Sequence, residues 1–317
     1  VRDYYIFVIR INLSGNNMDH RCGYVAIIGK PNAGKSTLMN AILGEKLSIT
    51  TSKPQTTRKR VMGILSDAVS QVIFLDTPGI LNPEYLLQNR MLEFIELSIL
   101  DADLLLLIVD AADDPTAEKF LNDPVVQDLL NKSEAGRILL LNKIDLAPQA
   151  KIQEALNNLS AQEKFLEVIP VSALNKFNIE RILPSLLENL PIHPKFFPDD
   201  QLSDENERFF VSEIIREKVF ELFQDEIPYS TEVIIEDFKE QENRKDVITA
   251  TIIVERESQK PIIIGKSGSA IKKLGEKSRA SIEEFLGRGV FLELRVKVKE
   301  KWRSDPKMLK YFGYKTE

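Results

Sequence analysis

Gly29-Lys30-Pro31-Asn32-Ala33-Gly34-Lys35-Ser36 follows an apolar run at residues 24–28 and leads into a helical pattern. Eight residues of this spacing, set between a strand and a helix, read as a phosphate-binding loop. The glycines let successive backbone N–H groups turn inward around a β-phosphate, with the start of the helix behind them. The Lys35 ammonium then reaches the β- and γ-oxygens, the Ser36 hydroxyl takes Mg²⁺, and Thr37 follows in the first helical turn. A chain built this way binds a nucleoside triphosphate.

The base is chosen about a hundred residues later. Asn142-Lys143-Ile144-Asp145 follows the apolar strand at 138–141. At a strand's C-terminal end, Asp145 can accept two hydrogen bonds, from the N1–H and the exocyclic amine of guanine. Adenine offers neither donor there, and an unpaired carboxylate discriminates by up to roughly 10⁴ to 10⁵ at sites of this kind. Asn142 is expected to bond the base edge and brace the phosphate loop, with the Lys143 stem along the base face.

Between these motifs, Asp76-Thr77-Pro78-Gly79 ends the strand at 72–75. Asp76 is expected to hold Mg²⁺ through water, and the Gly79 N–H to sense the γ-phosphate. The polar segment 48–60 is the expected first switch. Thr57 is the choice for a second Mg²⁺ hydroxyl, with Thr56 the alternative. Ser172-Ala173-Leu174, after the strand at 168–171, completes the set as a backbone contact to the base.

Residues 24–190 alternate short apolar runs with longer helical ones, the pattern of a doubly wound α/β sheet with ligands beyond the strands' C-terminal ends. Pro191, Pro194 and Pro198 fall within eight residues and mark a break. The expected division is an N-terminal extension at 1–21, a GTPase domain at 22–192, a linker at 193–205 and a second domain at 206–314. With 317 residues, 43% hydrophobic and 28% charged, the chain suits two globular domains. Its one cysteine, Cys22, excludes an intrachain disulfide and fits a reducing cytoplasm. Neither His20 nor His193 has a partner pointing to metal, and no apolar stretch reaches membrane-spanning length. Residues 1–17 precede Met18 and lack the arrangement of a signal peptide. Met18 is the expected initiator, a weakly ordered arm the alternative.

The second domain begins with an amphipathic helix at 207–223. Alternating strands follow at 231–237 and 247–254, with a charged hairpin at 239–246 between them. Pro261-Ile262-Ile263-Ile264-Gly265-Lys266-Ser267-Gly268 then leads into a helix whose Ile271, Leu274, Ile282 and Phe285 are expected to face the core. A strand at 291–298 closes an αββααβ order with G-x-x-G between two helices. That is the type II KH arrangement, an α+β fold whose loop clamps the backbone of about four unpaired nucleotides. Gly265 and Gly268 permit close approach, and Lys266, Ser267, Lys272 and Lys273 are the expected contacts. Residues 201–257 hold 7 Lys and Arg against 16 Asp and Glu, net −9; residues 258–316 hold 15 against 6, net +9. The overall charge of −6 thus conceals a basic lobe around the loop, the electrostatic footprint nucleic acid needs.

Five motifs in this order resemble the Era-type members of the TrmE and Era group of translation-factor-type GTPases. The likeness runs from Cys22 to about Tyr314 and includes Arg208-Phe209-Phe210, Ile227-Pro228-Tyr229-Ser230 and Lys301-Trp302-Arg303 ahead of Leu309. It implies a slow GTPase, because Ile80 stands where Ras-like enzymes carry the glutamine that orients water. It implies that Asn32 helps hold K⁺ against the β/γ-phosphates. It further implies binding to the 3′ region of small-subunit ribosomal RNA during subunit assembly, by a monomer in the cytoplasm with peripheral membrane contact. Ser267 departs from the glycine of many relatives. Alternatives are a GTP-regulated protein acting on another structured RNA, a metabolic kinase, and an RNA-binding protein with a vestigial nucleotide site. Intact Lys35, Ser36, Asp76 and Asp145 argue against the last, and the Asn142 to Asp145 motif against the kinase.

Overall fold

The computed structural model describes residues 20–242 and 244–315. The expected start at Met18 lies outside the described residues. The chain forms two compact units. One runs to Ser48 and resumes over Thr57–Asn82 and Met91–Asp204; the other takes Ile49–Thr56, Pro83–Arg90 and the chain from Glu205 onward.

The first unit is built on β1 (Arg21–Ile28), β2 (Val61–Ser66), β3 (Ser70–Asp76), β4 (Leu104–Asp110), β5 (Gly136–Asn142) and β6 (Glu167–Pro170), in the spatial order β2-β3-β1-β4-β5-β6. Only β2 runs antiparallel to its neighbour. The central strands read as continuous apolar runs because both faces are covered. Ile28, Leu75, Leu107 and Leu141 share one core with Ile95 of α2 (Leu86–Asp101), Val126 of α4 (Pro124–Leu130) and Ile152 of α5 (Gln149–Ser160). Helices α1 (Lys35–Leu43), α3 (Glu118–Leu121) and α6 (Ile182–Asn189) complete the unit.

The stretch expected as linker stays with this unit as far as Asp204. Its prolines cannot donate to a ladder, so other groups hold it. Gln71 Oε1 accepts from the N–H groups of Phe196 and Phe197 at 2.8 and 3.0 Å. The Ile64 N–H donates to Leu202 O at 2.8 Å, and Ser203 Oγ to Met62 O at 2.6 Å. No sequence pattern announces β2, a six-residue edge strand interrupted by Gly63. A Cβ at Gly63 would sit 2.5 Å from Leu43 Cδ1, so packing and not strand propensity explains the residue.

The second unit holds α7 (Glu207–Leu222), β7 (Glu232–Lys239), β8 (Asp246–Val254), α8 (Lys260–Ile264), α9 (Ser269–Leu286), β9 (Val290–Val298) and α10 (Pro306–Tyr311). Its sheet order is β7-β8-β9, antiparallel then parallel. Asn206 caps α7 by accepting the Phe209 N–H at 3.0 Å, and Gly287, at φ 66°, ends α9. Leu274 and Ile282 are fully buried, as expected of core residues. Phe285 is half-buried against Phe210, and Ile271 is half-buried as well. Trp302 is fully buried, edge-on to Phe312, and its Nε1 donates to Ser230 O at 2.9 Å. In this unit Lys53 Nζ donates to Phe220 O, a carbonyl in the last turn of α7. The expected first switch, 48–60, is therefore divided, with 49–56 in the second unit and Ser48 and the chain from Thr57 in the first. Among the described residues, no helix is long and apolar enough to cross a membrane.

Candidate functional site

The sequence motifs of the first unit converge at one end of its sheet. The phosphate loop leaves β1 and enters α1 through Gly34, whose φ of 101° suits only glycine without strain. No side chain caps α1, which leaves its first N–H groups for an anion. Lys35 is 6% exposed, and its Nζ donates to Gly29 O and Lys30 O, both at 3.0 Å. Burial lowers its pKa to about 8, opposed by the charge of Asp76. Asn32, at φ 62°, is exposed on the same loop; asparagine tolerates that conformation. Lys30 turns outward to Asp123, 2.9 Å away, and Ala33 is buried.

Ser36 Oγ donates to Asp76 Oδ2 at 2.7 Å and lies 2.9 Å from Thr57 Oγ1. Thr57 is buried in this cluster, whereas Thr56 belongs to the second unit. Burial pushes the Asp76 carboxyl pKa up, opposed by Ser36, Lys35, Ser48 and Thr57. Its Oδ1 is buried with no hydrogen-bond partner. Two hydroxyls and a carboxylate with an unsatisfied oxygen are the donor set of a hard cation such as Mg²⁺.

Past Asp76, the Thr77 hydroxyl donates to Ile27 O at 2.7 Å, so it anchors the loop to β1 and does not face a phosphate. Gly79 lies against the phosphate loop, where a Cβ would be 2.6 Å from Pro31 N. Pro78 is buried beside it. The Ile80 side chain is only 4% exposed and joins the core, while its N–H donates to Gly29 O at 3.1 Å. Neither its side chain nor its N–H is available to a water.

At the base end, Asn142 Nδ2 donates to Ala33 O at 2.7 Å and its Oδ1 accepts the Ala173 N–H at 2.9 Å. The side chain thus ties the phosphate loop to the Ser172-Ala173-Leu174 turn, which closes through paired backbone bonds between Ser172 and Phe177. Leu174 is 79% exposed at the tip. Asp145 is exposed in a 3₁₀ turn, so a seated base, and not the protein, would take its carboxylate out of water. Lys143, at φ 63°, pairs with Asp110 Oδ2 at 2.6 Å. Asp110 was not singled out in the sequence. Its only signal is its position at the end of β4, in register with Asn142.

In the second unit, Lys266–Gly268 forms a 3₁₀ turn between α8 and α9. A Cβ at Gly265 would sit 2.7 Å from Ala270 N, and Ser267 adopts φ 51°. Lys266, Ser267, Lys272 and Lys273 are exposed. A groove of about 330 Å³ runs between α9 and β9, with Ile271, Leu292 and Leu294 as its apolar lining and Lys272, Glu276 and Arg279 along it. Ile271, expected in the core, thus lines this groove. The groove includes Lys272 but not Lys273. Its one carboxylate, Glu276, and its arginine, Arg279, escaped the sequence reading, although both follow Lys272 at helical spacing.

The strand ends of the first unit define a phosphate-loop GTPase, and the second unit has the KH element order. Residues 24–143 match the family described as 50S ribosome-binding GTPase, and residues 226–303 the KH domain family. GTPase Era of Geobacter sp. (strain M21) is 47% identical over 294 residues, covering 93% of this chain and 98% of that protein. Era in complex with MgGDPNP and nucleotides 1506–1542 of 16S ribosomal RNA superposes with a TM-score of 0.87 at 37% identity, over 94% of this chain and 100% of that one. A variant of Aquifex aeolicus Era bound to GDP and AlF₄⁻ gives 0.86 at 38% identity, over 93% and 100%. The chain belongs to the Era family of GTPases.

Proposed function

We propose that this GTPase binds the unpaired 3′ region of small-subunit ribosomal RNA through its second unit and serves as a slow GTP-driven switch in small-subunit assembly. The observation that carries the reading is the groove beside the G-x-x-G turn, set in a lobe of net charge +9, in a chain that aligns over all of an Era crystallised with 16S ribosomal RNA. Sequencing the RNA crosslinked to the protein in cells tests it. Reads concentrated at the 3′ end of small-subunit RNA are expected, and enrichment of another structured RNA would favour the alternative. Residence in the cytoplasm with peripheral membrane contact belongs to the same proposal and is tested by fractionation.

In the GTPase site, Asp145 reads guanine and Asn142 keeps the base and phosphate loops in register. Lys143 supports the base face while paired to Asp110. The N-terminus of α1 and the phosphate-loop N–H groups bind the β-phosphate, and Lys35 neutralises charge on the β- and γ-oxygens. Ser36, Thr57 and, through water, Asp76 would hold Mg²⁺, which when bound draws charge from the bridging oxygens. The Gly79 N–H senses the γ-phosphate. With Ile80 in the core, the attacking water lacks a side-chain partner there, and turnover is slow. Asn32 is proposed to help hold K⁺ against the phosphates. Hydrolysis should then run at least several-fold faster in K⁺ than in Na⁺, and Asn32→Ala should lose the difference. Equal rates of the wild type in both salts would remove K⁺ from the reading and leave GTP binding intact.

A further inference from the structure

Asn40 follows Ser36 by four residues on α1, so the two side chains rise from the same face of the helix. Ser36 reaches Asp76, and Asn40 reaches the chain that follows the helix. Its Oδ1 accepts the N–H groups of Leu47 and Ser48, both at 3.0 Å, and its Nδ2 donates to Ser48 O at 2.7 Å. A carboxamide offers an acceptor and a donor group, and here both hold backbone. Ser48 is thus fixed at its N–H and at its C=O, which fixes where its side chain starts.

That side chain is buried without a partner. Ser48 is 4% exposed, and its Oγ has no hydrogen bond among the described residues. Most buried hydroxyls find a partner, and one that does not costs stability. Asp76 Oδ1 is in the same condition. The two residues are neighbours: burial raises the Asp76 pKa, and the Ser48 hydroxyl is among the groups that oppose the rise. They do not bond to each other, so what both lack is a third group that donates to each. An ionised carboxylate only accepts, and a hydroxyl accepts as well. Water bound to a cation is such a donor, because its lone pair is engaged by the ion and both of its protons need acceptors. Mg²⁺ dehydrates reluctantly and keeps several waters. One proton of such a water finds Asp76 Oδ1, and Ser48 Oγ is the unpartnered acceptor for the other.

We propose that Ser48 is a positioning residue of the Mg²⁺ site, its hydroxyl set by Asn40 so that it and Asp76 Oδ1 take the two protons of one ion-bound water. This rests on the Mg²⁺ reading of Ser36, Thr57 and Asp76 above and adds the residue that orients the water. The test uses the full-length protein in excess over a non-hydrolysable GTP analogue, with Mn²⁺ as the probe and free Mn²⁺ read by electron paramagnetic resonance. Ser48→Ala should weaken Mn²⁺ binding about ten-fold or more, the usual effect of losing a group that orients a metal's ligands. In EDTA, without metal or nucleotide, the same variant should melt at the wild-type temperature or above it, because the group removed is a buried hydroxyl without a partner. A serine that only holds the loop together would do the reverse, lowering the Tm and leaving Mn²⁺ affinity alone. Wild-type Mn²⁺ affinity in Ser48→Ala overturns the proposal, and so does a lower Tm in EDTA, which would mean that the hydroxyl is already partnered in the free protein. Ser36→Ala separates the two levels. If it weakens Mn²⁺ binding and Ser48→Ala does not, only the assignment of Ser48 fails; if neither variant does, the failure lies in the Mg²⁺ reading itself and Ser48 falls with it.

Discussion

Lys35 shows how a residue's burial becomes a pH dependence. Its folded pKa of about 8 lies below that of an exposed lysine, because burial penalises the cation. A depressed lysine costs stability at low pH and ceases to do so as pH rises from about 8 to about 10.4. A triphosphate needs the protonated form, so binding runs the other way. GTP affinity should fall about ten-fold between pH 7 and 9 as the ammonium is lost, while the protein itself gains stability over the same range. A nucleotide titration at three pH values, with thermal melts alongside, reads both, and an affinity that is flat to pH 9 contradicts the role of Lys35. Asp145 is proposed to act by complementarity. Asp145→Asn should lose at least roughly a hundred-fold in GTP affinity and gain preference for xanthosine nucleotide, whose carbonyl suits an amide donor. Unchanged GTP preference removes Asp145 from the base site. Both residues stand out in the sequence because the chemistry proposed for them depends on short local spacing. Asp110 does not, since its partnership with Lys143 exists only through the register of two strands 33 residues apart.

Among the elements, those with strong periodic or capping signals were visible and those decided by tertiary context were not. The strands at 72–75 and 138–141 are the hearts of β3 and β5, and α7 begins at 207 as read. Edge strand β2 was hidden, because a sheet edge demands no continuous apolar run. Ile271 shares the apolar stripe of α9 with Leu274, yet it lines the groove, since the end of that stripe nearest the G-x-x-G turn is not roofed. Capping offers a quantitative check. Asn206→Ala removes the acceptor for the Phe209 N–H and should cost about 1 kcal/mol in the second unit. Chemical denaturation should show a lower midpoint with unchanged slope. No change in midpoint would mean that water satisfies this helix end equally well.

For the whole molecule, the expectation concerns charge. Lys266→Asp with Ser267→Asp sets two carboxylates where a phosphate chain is proposed to run, and RNA affinity should fall by several kcal/mol at low salt and by less at high salt. GTP binding should be unchanged, because the first unit has its own core. RNA retention by the folded variant would reduce the basic lobe to a solvated face. The two-domain plan was legible from the change of pattern after residue 190, whereas the attachment of residues 193–204 to the first unit was not. It depends on side-chain acceptors such as Gln71, which no local pattern reveals. One buried ring offers a means of watching these parts separately. Trp302 is the only tryptophan in the chain and sits wholly within the second unit, sealed against Phe312. Its emission should be blue-shifted in the native protein and should move to the red when that unit opens. A guanine-nucleotide fluorophore would report on the first unit, so two colours in one cuvette would separate their melting.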